Sequence, residues 1–257
     1  PPAPVDPPAV TRVKRMAEPK VGAYPALPAP VIERATLANG LKVELARRSA
    51  VPVVRLALSF TGGLAADDRA RLGVQGLALN LLDEGAAGQT GPQIAEARER
   101  LGASIGAGAS FDRTRIALDA LKPNLDASLA LFADVVQRPD FPPAELERVR
   151  GQTLAAIDRE LTDPGGIARR LLVPILYGAD HPYGVPTSGT GTPEGVKAVT
   201  RDDLIAWHKR WIRPDAGTLF VVGDITMAEL KPLLDRHFGQ WRADPAVAPG
   251  SRSFKPV

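Results

Sequence analysis

The hydrophobic pattern of this 257-residue sequence changes its period several times along the chain. Some segments alternate apolar and polar residues, as half-buried strands do. Asn39-Gly40 lies ahead of the first of them and is typical of a tight turn, so a hairpin-like start is expected. The segments that we predict to be strands are residues 41–48, 53–60, 104–110, 113–121 and 218–223.

Between these strands, apolar residues recur at the spacing of helices. Thr90 with Gln93 and Thr226 with Glu229 have the pattern of capping boxes, which mark helix starts. Gly85 is placed where a glycine would end the first helix. Strands in hairpins and helices in runs predict an α+β fold, with a layered, mostly antiparallel sheet and helices packed on one face. The predicted helices are residues 67–82, 90–101, 124–136, 144–161, 167–176, 200–211 and 226–238.

Proline is concentrated at the start of the chain, where nine of the 25 prolines fall within the first thirty residues. Such a segment is stiff and extended, and it has too little apolar surface to fold alone. We therefore predict a proline-rich linker or extended arm over residues 1–30, a single domain over 31–245, and a linker toward a following domain over 246–257.

The composition excludes several kinds of chemistry. Cysteine is absent, which removes thiolate nucleophiles, disulfides and thiolate metal sites. His181, His208 and His237 are too far apart for any two to share one helix face, so a local two-histidine metal motif is excluded. A net charge of +3 with interspersed charges and 5% aromatic residues argues against nucleic-acid binding. No apolar run approaches the roughly 20 residues that span a bilayer.

Few local motifs suggest a catalytic site. The glycine-rich segments 104–110 and 188–195 lack the spacing of phosphate-binding loops. His181 is either a catalytic or binding imidazole or a turn residue that hydrogen-bonds locally, and the turn is favoured. Structural roles are favoured for His208 and His237. Asp83-Glu84 has no imidazole neighbour in the sequence, which argues against acid/base catalysis.

Short motifs recur in a fixed order between about residues 37 and 240. They are Leu-Ala-Asn-Gly-Leu-Lys-Val (37–43), Thr-Gly-Gly (61–63), Gly73, Leu-Gly-Ala (101–103), Asp112-x-Thr114, Thr-Asp-Pro (162–164), His-Pro-Tyr-Gly (181–184), Gly-Thr (189–190) and Val-Gly-Asp-Ile-Thr (222–226). In this order they resemble the pitrilysin/insulinase family of zinc metallopeptidases. The resemblance implies a pitrilysin-like domain, also similar to the mitochondrial processing peptidase fold.

Active members of that family carry an inverted zinc motif, His-x-x-Glu-His, on the helix after the Gly-Gly strand. In the register set by the motifs, the two histidine positions fall on Gly76 and Asn80, and the position of the glutamate base falls on Leu79. The final ligand, a glutamate from the later long helix, falls on Ala155 or Ala156. The resemblance therefore implies a domain that has no zinc, is no enzyme on its own, and is a component of a zinc metalloendopeptidase.

The family builds a peptide-binding chamber from paired domains of one fold, so we expect an active zinc-peptidase domain or subunit as partner, with zinc only in that partner. Asn80 and the strand residues Ile105, Gly106 and Ala107 are the candidates for lining the chamber and contacting peptide substrate. A homo-oligomer is the alternative assembly. The family's bacterial members are often exported, which favours the periplasm, with the cytoplasm as the alternative.

Two other functions stay open. The chain is alternatively a non-proteolytic structural or assembly module with the same fold, as in the core proteins of respiratory complexes. A lone enzyme built on a serine or carboxylate constellation is the least favoured function, but it stays open because such groups meet in space rather than in sequence.

Overall fold

The computed structural model describes Gly22, residues 29–178 and residues 180–251. Eight strands and eight α-helices make up this part of the chain. The strands are β1 (Ile32–Thr36), β2 (Lys42–Arg47), β3 (Val53–Phe60), β4 (Gly85–Ala86), β5 (Gln89–Thr90), β6 (Ser104–Ala109), β7 (Thr114–Leu121) and β8 (Thr218–Gly223). The helices are α1 (Val74–Asn80), α2 (Gly91–Leu101), α3 (Leu125–Gln137), α4 (Pro143–Thr162), α5 (Pro164–Tyr177), α6 (Pro193–Ala198), α7 (Arg201–Trp211) and α8 (Met227–Phe238).

Six strands form one sheet in the order β1-β2-β8-β3-β7-β6. β2 pairs with β8 in parallel, and the other neighbouring pairs are antiparallel. Leu56 of β3 and Leu118 of β7 are paired across the sheet and buried, whereas their chain neighbours Arg55 and Asp119 lie on the opposite face. The predicted α+β fold, with a mostly antiparallel sheet and helices on one face, is confirmed.

The helix starts read from capping boxes are confirmed. The backbone amide of Thr90 donates to the Gln93 side chain over 2.8 Å, and Thr226 forms the same arrangement with Glu229. α2 ends at Gly102, whose φ of 60° lies in the left-handed region that glycine adopts without strain. The hydrogen bonds of the two capping boxes satisfy backbone amides at the helix starts that have no partner within the helix.

The single helix predicted over residues 67–82 is wrong. Gly73 has a φ of 110° and breaks the segment, so that a regular helix begins only at Val74 and ends at Asn80. The Asp68 side chain accepts a hydrogen bond from the amide of Ala70 and caps a short turn of 3₁₀-helix before the break. Gly85 does not end the helix; it pairs with Thr90 in β4 and β5.

Three further details of the chain trace differ from the sequence prediction. The hairpin at the start pairs β2 with β1, a strand that was not predicted, instead of with β3. β8 lies between β2 and β3. A third difference is α6, a short helix within the region predicted as a glycine- and proline-rich loop; Thr192 caps it by accepting from the amide of Gly195.

Helix α5 differs from an ordinary amphipathic helix, because a charged side chain is on its buried face and apolar side chains are on its exposed face. It buries Arg170 and exposes a stripe of large apolar side chains. An exposed apolar face of this kind is typical of a surface that another protein region covers. The exposed members are Ile167, Leu171, Leu172, Ile175 and Leu176.

The division into one domain and two linkers stays a prediction. Apart from Gly22, Ala29 and Pro30, the predicted arm over residues 1–30 lies outside the described residues, as do residues 252–257. The amide of Gly250 donates to the carbonyl oxygen of Arg210, so the described chain still contacts α7 beyond residue 245. None of the helices in the described ranges is long and apolar enough to cross a bilayer.

Candidate functional site

Four of the predicted motif positions line one cavity between helices α1 and α4. Gly76, Leu79 and Asn80 come from α1 and Ala156 comes from α4, around a volume of about 520 Å³ that we call the helix-side cavity. Ala155 is exposed and is not among the lining residues. The structure thus brings together four of the positions onto which the resemblance maps the zinc ligands and the catalytic base.

Neutral hydrogen-bonding groups cover much of the wall of this cavity. Asn80 supplies an amide from α1, and Gln152 and Thr153 supply an amide and a hydroxyl from α4. Ser188 and Thr190 add two hydroxyls from the loop before α6. Such groups can orient a peptide, but they cannot take a proton from water at neutral pH.

Glu84 is a carboxylate at the edge of the same cavity, and it is held in an ion pair. One of its oxygen atoms lies 2.6 Å from the Arg148 guanidinium of α4. The neighbouring Asp83 binds Arg98 of α2 over 2.8 Å. These two carboxylates, which the sequence left unexplained, join the end of α1 to α4 and α2.

The loop that carries Ser188 and Thr190 is fixed by a buried ion pair. Arg170 of α5 donates to Glu160 of α4 over 2.7 Å and to the Thr190 hydroxyl over 2.9 Å. Ser188 donates to the same glutamate over 3.1 Å. Gly189-Thr190 is one of the motifs in the sequence, but its place beside α1 depends on this tertiary contact, which no local pattern indicates.

Gly189 of this loop packs directly against Gly76. A Cβ atom on Gly76 would lie 2.7 Å from the carbonyl oxygen of Gly189, closer than real Cβ contacts come. The loop thus occupies the space that a histidine side chain at position 76 would need. Packing as well as sequence therefore leaves no histidine at the position onto which the resemblance maps the first zinc ligand.

β6 is an edge strand of the sheet, and the predicted chamber residues on it face different ways. Ala107 lines the helix-side cavity, Gly106 lies on the opposite face, and Ile105 is largely buried. Ile105, Gly106, Ala107 and Asn80 come together around a smaller cavity of about 130 Å³. The pairing of β6 with β7 leaves the other side of β6 open in the described part of the sheet.

The three histidines lie apart from one another, each with its own contact. Nδ1 of His181 accepts from the amide of Tyr183 over 3.0 Å, which is the turn role favoured above. Nε2 of His208 lies 2.8 Å from the carbonyl oxygen of Val136, and burial lowers the pKa of this imidazole to about 4. His237 lies 2.6 Å from the Asp126 carboxylate.

The donor set at the vacated positions does not fit zinc. Gly76, Leu79 and Ala156 offer no ligand atom, and Asn80 offers one amide oxygen, a poor ligand for this borderline-soft ion. Among the residues that the structure describes, no three His, Asp or Glu side chains are placed to hold a metal ion.

Comparison with known protein families assigns the chain. A model described as insulinase, peptidase family M16, matches residues 42–179. The chain belongs to this family. A second model, described as the peptidase M16 inactive domain, matches residues 198–257. The kinship with the pitrilysin/insulinase peptidases that the motifs indicated is confirmed.

Curated M16 relatives include proteins of different kinds. An uncharacterized zinc protease of Mycobacterium leprae is 28% identical over 80% of this chain and 46% of its own length. A non-peptidase homolog of Helicobacter pylori is 27% identical over 60% of this chain and 35% of its own. Subunit 1 of the bovine cytochrome b-c1 complex is 23% identical over 81% and 43%. The chain therefore spans about half or less of the length of these relatives.

Solved M16 structures share the fold. The inactive domain of a Pseudomonas fluorescens peptidase M16 has a TM-score of 0.80 at 28% identity, covering 88% of this chain and 53% of that one. The periplasmic protease PqqL of Escherichia coli has a TM-score of 0.77 at 21% identity, covering 89% of this chain and 26% of that one. The second likeness concerns the fold alone.

Proposed function

We propose that this M16 chain is a catalytically silent domain of a zinc metalloendopeptidase, which forms part of a peptide-binding chamber together with an active domain or subunit. The observation that carries the proposal is the helix-side cavity. Gly76, Leu79, Asn80 and Ala156 converge there as they would in an active member, but without imidazole, free carboxylate or room for a side chain at position 76. Such a cavity keeps the shape of a peptide site and lacks its chemistry.

The exposed face of α5 supports a paired arrangement. Leu172 and Ile175 are 56% and 75% exposed on a helix whose other side buries Arg170. Arg170 also holds the loop of the helix-side cavity, so a domain docked on α5 would lie beside that cavity. The greater length of the relatives accommodates such a partner, whether in the same polypeptide or in another chain.

Peptide contact is proposed to occur by strand addition to β6. An edge strand has unpaired backbone amides and carbonyls that can hydrogen-bond an extended peptide. Alternate side chains of that peptide would point toward Ala107 and the helix-side cavity. Zinc belongs to the active partner in this proposal, with Ala156 rather than Ala155 as the vacated position of the last ligand in this chain.

Metal content and cleavage test the silent role. The purified chain is dialysed against Zn²⁺ and then analysed for bound metal, and a quenched fluorescent peptide is offered to the chain alone. We expect no retained zinc and no cleavage. About one zinc per chain, or cleavage that a chelator stops, would overturn the proposal.

A mixing experiment tests the pairing with an active partner. An M16 peptidase that carries His-x-x-Glu-His is taken from the same organism and mixed with the chain, and the peptidase should then cleave peptide faster than it does alone.

Selective N-methylation of the peptide tests strand addition without altering the protein. Two versions of one nine-residue peptide are methylated on alternate amides. Only one set faces β6, so one version should lose binding and the other should keep it. Equal binding of both versions would exclude the edge strand as the binding surface.

A second candidate function is a non-proteolytic assembly module. Two relatives are named as a non-peptidase homolog and as a cytochrome b-c1 subunit, which supports this alternative. Stable complex formation without any gain in cleavage would favour it over the silent peptidase domain.

For the location of the protein we propose the periplasm, with the cytoplasm as the alternative. The fold neighbour named as a periplasmic protease supports this proposal. Cell fractionation with compartment markers separates the two locations.

A further inference from the structure

The face of the sheet opposite the helices carries a second concave surface beside β6. It has a volume of about 590 Å³, and we call it the outer groove. Small residues form its floor, with Ala117 of β7 paired to Gly106 of β6. Arg113 and Arg115 stand at one end.

Within the described part of the chain, these two arginines are not neutralised by ion pairs. Both are exposed, and neither forms a salt bridge with a carboxylate of the described residues. Arg113 makes a long contact of 3.5 Å to the Ser59 hydroxyl. The opposite end of the groove differs, because Asp119 there is paired with Arg55 over 2.8 Å. One end of the outer groove is therefore positively charged.

Because of the register between β6 and β7, the guanidinium of Arg115 has access to the open edge of the sheet. Arg115 is paired with Gly108 of β6, so no side chain on β6 stands between its guanidinium and a strand added beyond β6. Adjacent strands lie only about 4.8 Å apart. A Cβ atom on Gly106 or Gly108 would meet nothing within 4 Å, so the fold itself leaves this surface open.

An extended peptide on β6 would place its side chains alternately on the two faces of the sheet. Residues on one face would enter the helix-side cavity, where Asn80, Gln152 and Thr153 supply neutral polar groups. The intervening residues would lie over the outer groove, beside Arg113 and Arg115. One bound peptide would therefore place every second side chain against neutral polar groups in the helix-side cavity and the intervening side chains beside the arginines of the outer groove.

Resting on the proposed function, we propose that β6 selects polypeptide segments with acidic side chains at alternate positions. Carboxylates on the outer face pair with the two arginines, and neutral residues between them occupy the helix-side cavity. The ligand class is an extended, acidic segment of an unfolded polypeptide.

Fluorescence anisotropy with three labelled nine-residue peptides tests this selectivity. Glutamate, glutamine or lysine alternates with threonine in otherwise identical peptides. The glutamate peptide should bind the chain about tenfold more tightly than the glutamine peptide at low salt, with the difference shrinking as salt screens the charges. The lysine peptide should bind most weakly.

Variants on the two edges of the sheet locate the effect. Arg113→Gln with Arg115→Gln should remove the preference for glutamate, so that the glutamate and glutamine peptides bind this variant equally. Arg34→Gln is the matched control, because Arg34 lies on the same face at the opposite edge strand, β1. It should leave the preference intact.

The outcomes separate the two proposals. Equal binding of the glutamate and glutamine peptides, or selectivity that survives in the double variant, would overturn the acidic preference while strand capture stands. Absence of binding by all three peptides would overturn peptide capture as well. Self-association that the peptides compete away, with no difference among them, would instead assign β6 to a second copy of the chain and overturn the acidic preference.

Discussion

The carbonyl oxygen of Gly189 lies 2.7 Å from the point where a Cβ atom on Gly76 would stand. This contact joins the loop before α6 to the position onto which the resemblance maps the first zinc ligand. It makes glycine at position 76 a requirement of packing in a helix where alanine would otherwise be favoured.

Gly76→Ala should therefore destabilise the protein. Alanine in a helix interior normally stabilises by about 1 kcal/mol relative to glycine. Here the crowded Cβ atom should reverse the sign and lower the free energy of unfolding by about 1–2 kcal/mol. Urea unfolding measures the change. Gly151→Ala in α4 is the matched control, since nothing lies within 4 Å of its added Cβ atom, and it should stabilise. If both substitutions stabilised the protein, the close contact between the Gly189 carbonyl oxygen and a Cβ atom at position 76 would be contradicted.

Restoring the motif should fail to restore the metal site. A variant with Gly76→His, Leu79→Glu, Asn80→His and Ala156→Glu has every ligand of an active member, but the Gly189 loop fills the space of the first imidazole. We expect weak zinc binding by dialysis and no peptide hydrolysis. The triple variant that retains Gly76 should fold more stably than the quadruple one. Tight binding of one zinc by the quadruple variant would show that the loop moves easily.

Asp67 and His208 should give opposite responses of stability to pH. Burial raises the pKa of Asp67 to about 7. Between pH 7 and 4 the folded protein therefore holds a proton on Asp67 that the unfolded chain has lost, so acidification over this range stabilises the folded state. Burial lowers the pKa of His208 to about 4, so the unfolded chain takes up a proton below pH 6.5 and acidification destabilises. Each effect amounts to about 1.4 kcal/mol per pH unit within its window.

Single substitutions should reveal the two opposing slopes. Between pH 4.5 and 6.5 the unaltered protein should show a nearly level free energy of unfolding in urea. Asp67→Asn should lose stability on acidification, because only the His208 effect remains. His208→Gln should gain stability over the same range. A level profile in both variants would contradict the assignment.

Arg170→Met should release the loop of the helix-side cavity. The substitution leaves Glu160 largely buried without its cation and removes the bond to Thr190, which should lower the free energy of unfolding by about 3 kcal/mol. Amides of residues 187–192 should exchange hydrogen faster. Arg55→Met, in the exposed pair with Asp119, should change stability by less than about 1 kcal/mol. Equal effects of the two variants would argue against a special role for Arg170.

Local signals were sufficient to predict much of the fold. Thr90 and Thr226 begin helices because their side chains and the residues three positions later satisfy each other's backbone donors, which depends on neighbours alone. The strands at 104–110 and 113–121 were found because alternation reports a half-buried sheet. The break at Gly73 was missed, because its left-handed conformation depends on packing that periodicity does not register.

The candidate site could be predicted in part. Motif order gave Gly76, Leu79, Asn80 and either Ala155 or Ala156, and all of these except Ala155 line one cavity. The approach of Gly189 to Gly76 could not be inferred, because a contact between residues over a hundred positions apart leaves no local pattern. The outer groove was missed for a similar reason, since the alternation that predicted β7 did not show that Arg113 and Arg115 lack ionic partners among the described residues.

The position of β8 between β2 and β3 has a consequence for synthesis of the protein. β2 leaves the ribosome some 170 residues before its neighbour Thr218–Gly223 does, so the centre of the sheet stays unfilled until most of the domain has been translated. Until then, β2 and β3 each present a strand edge with unsatisfied backbone groups, which favours association with other nascent chains. A chaperone that shields these edges during translation would protect the domain in its most vulnerable interval.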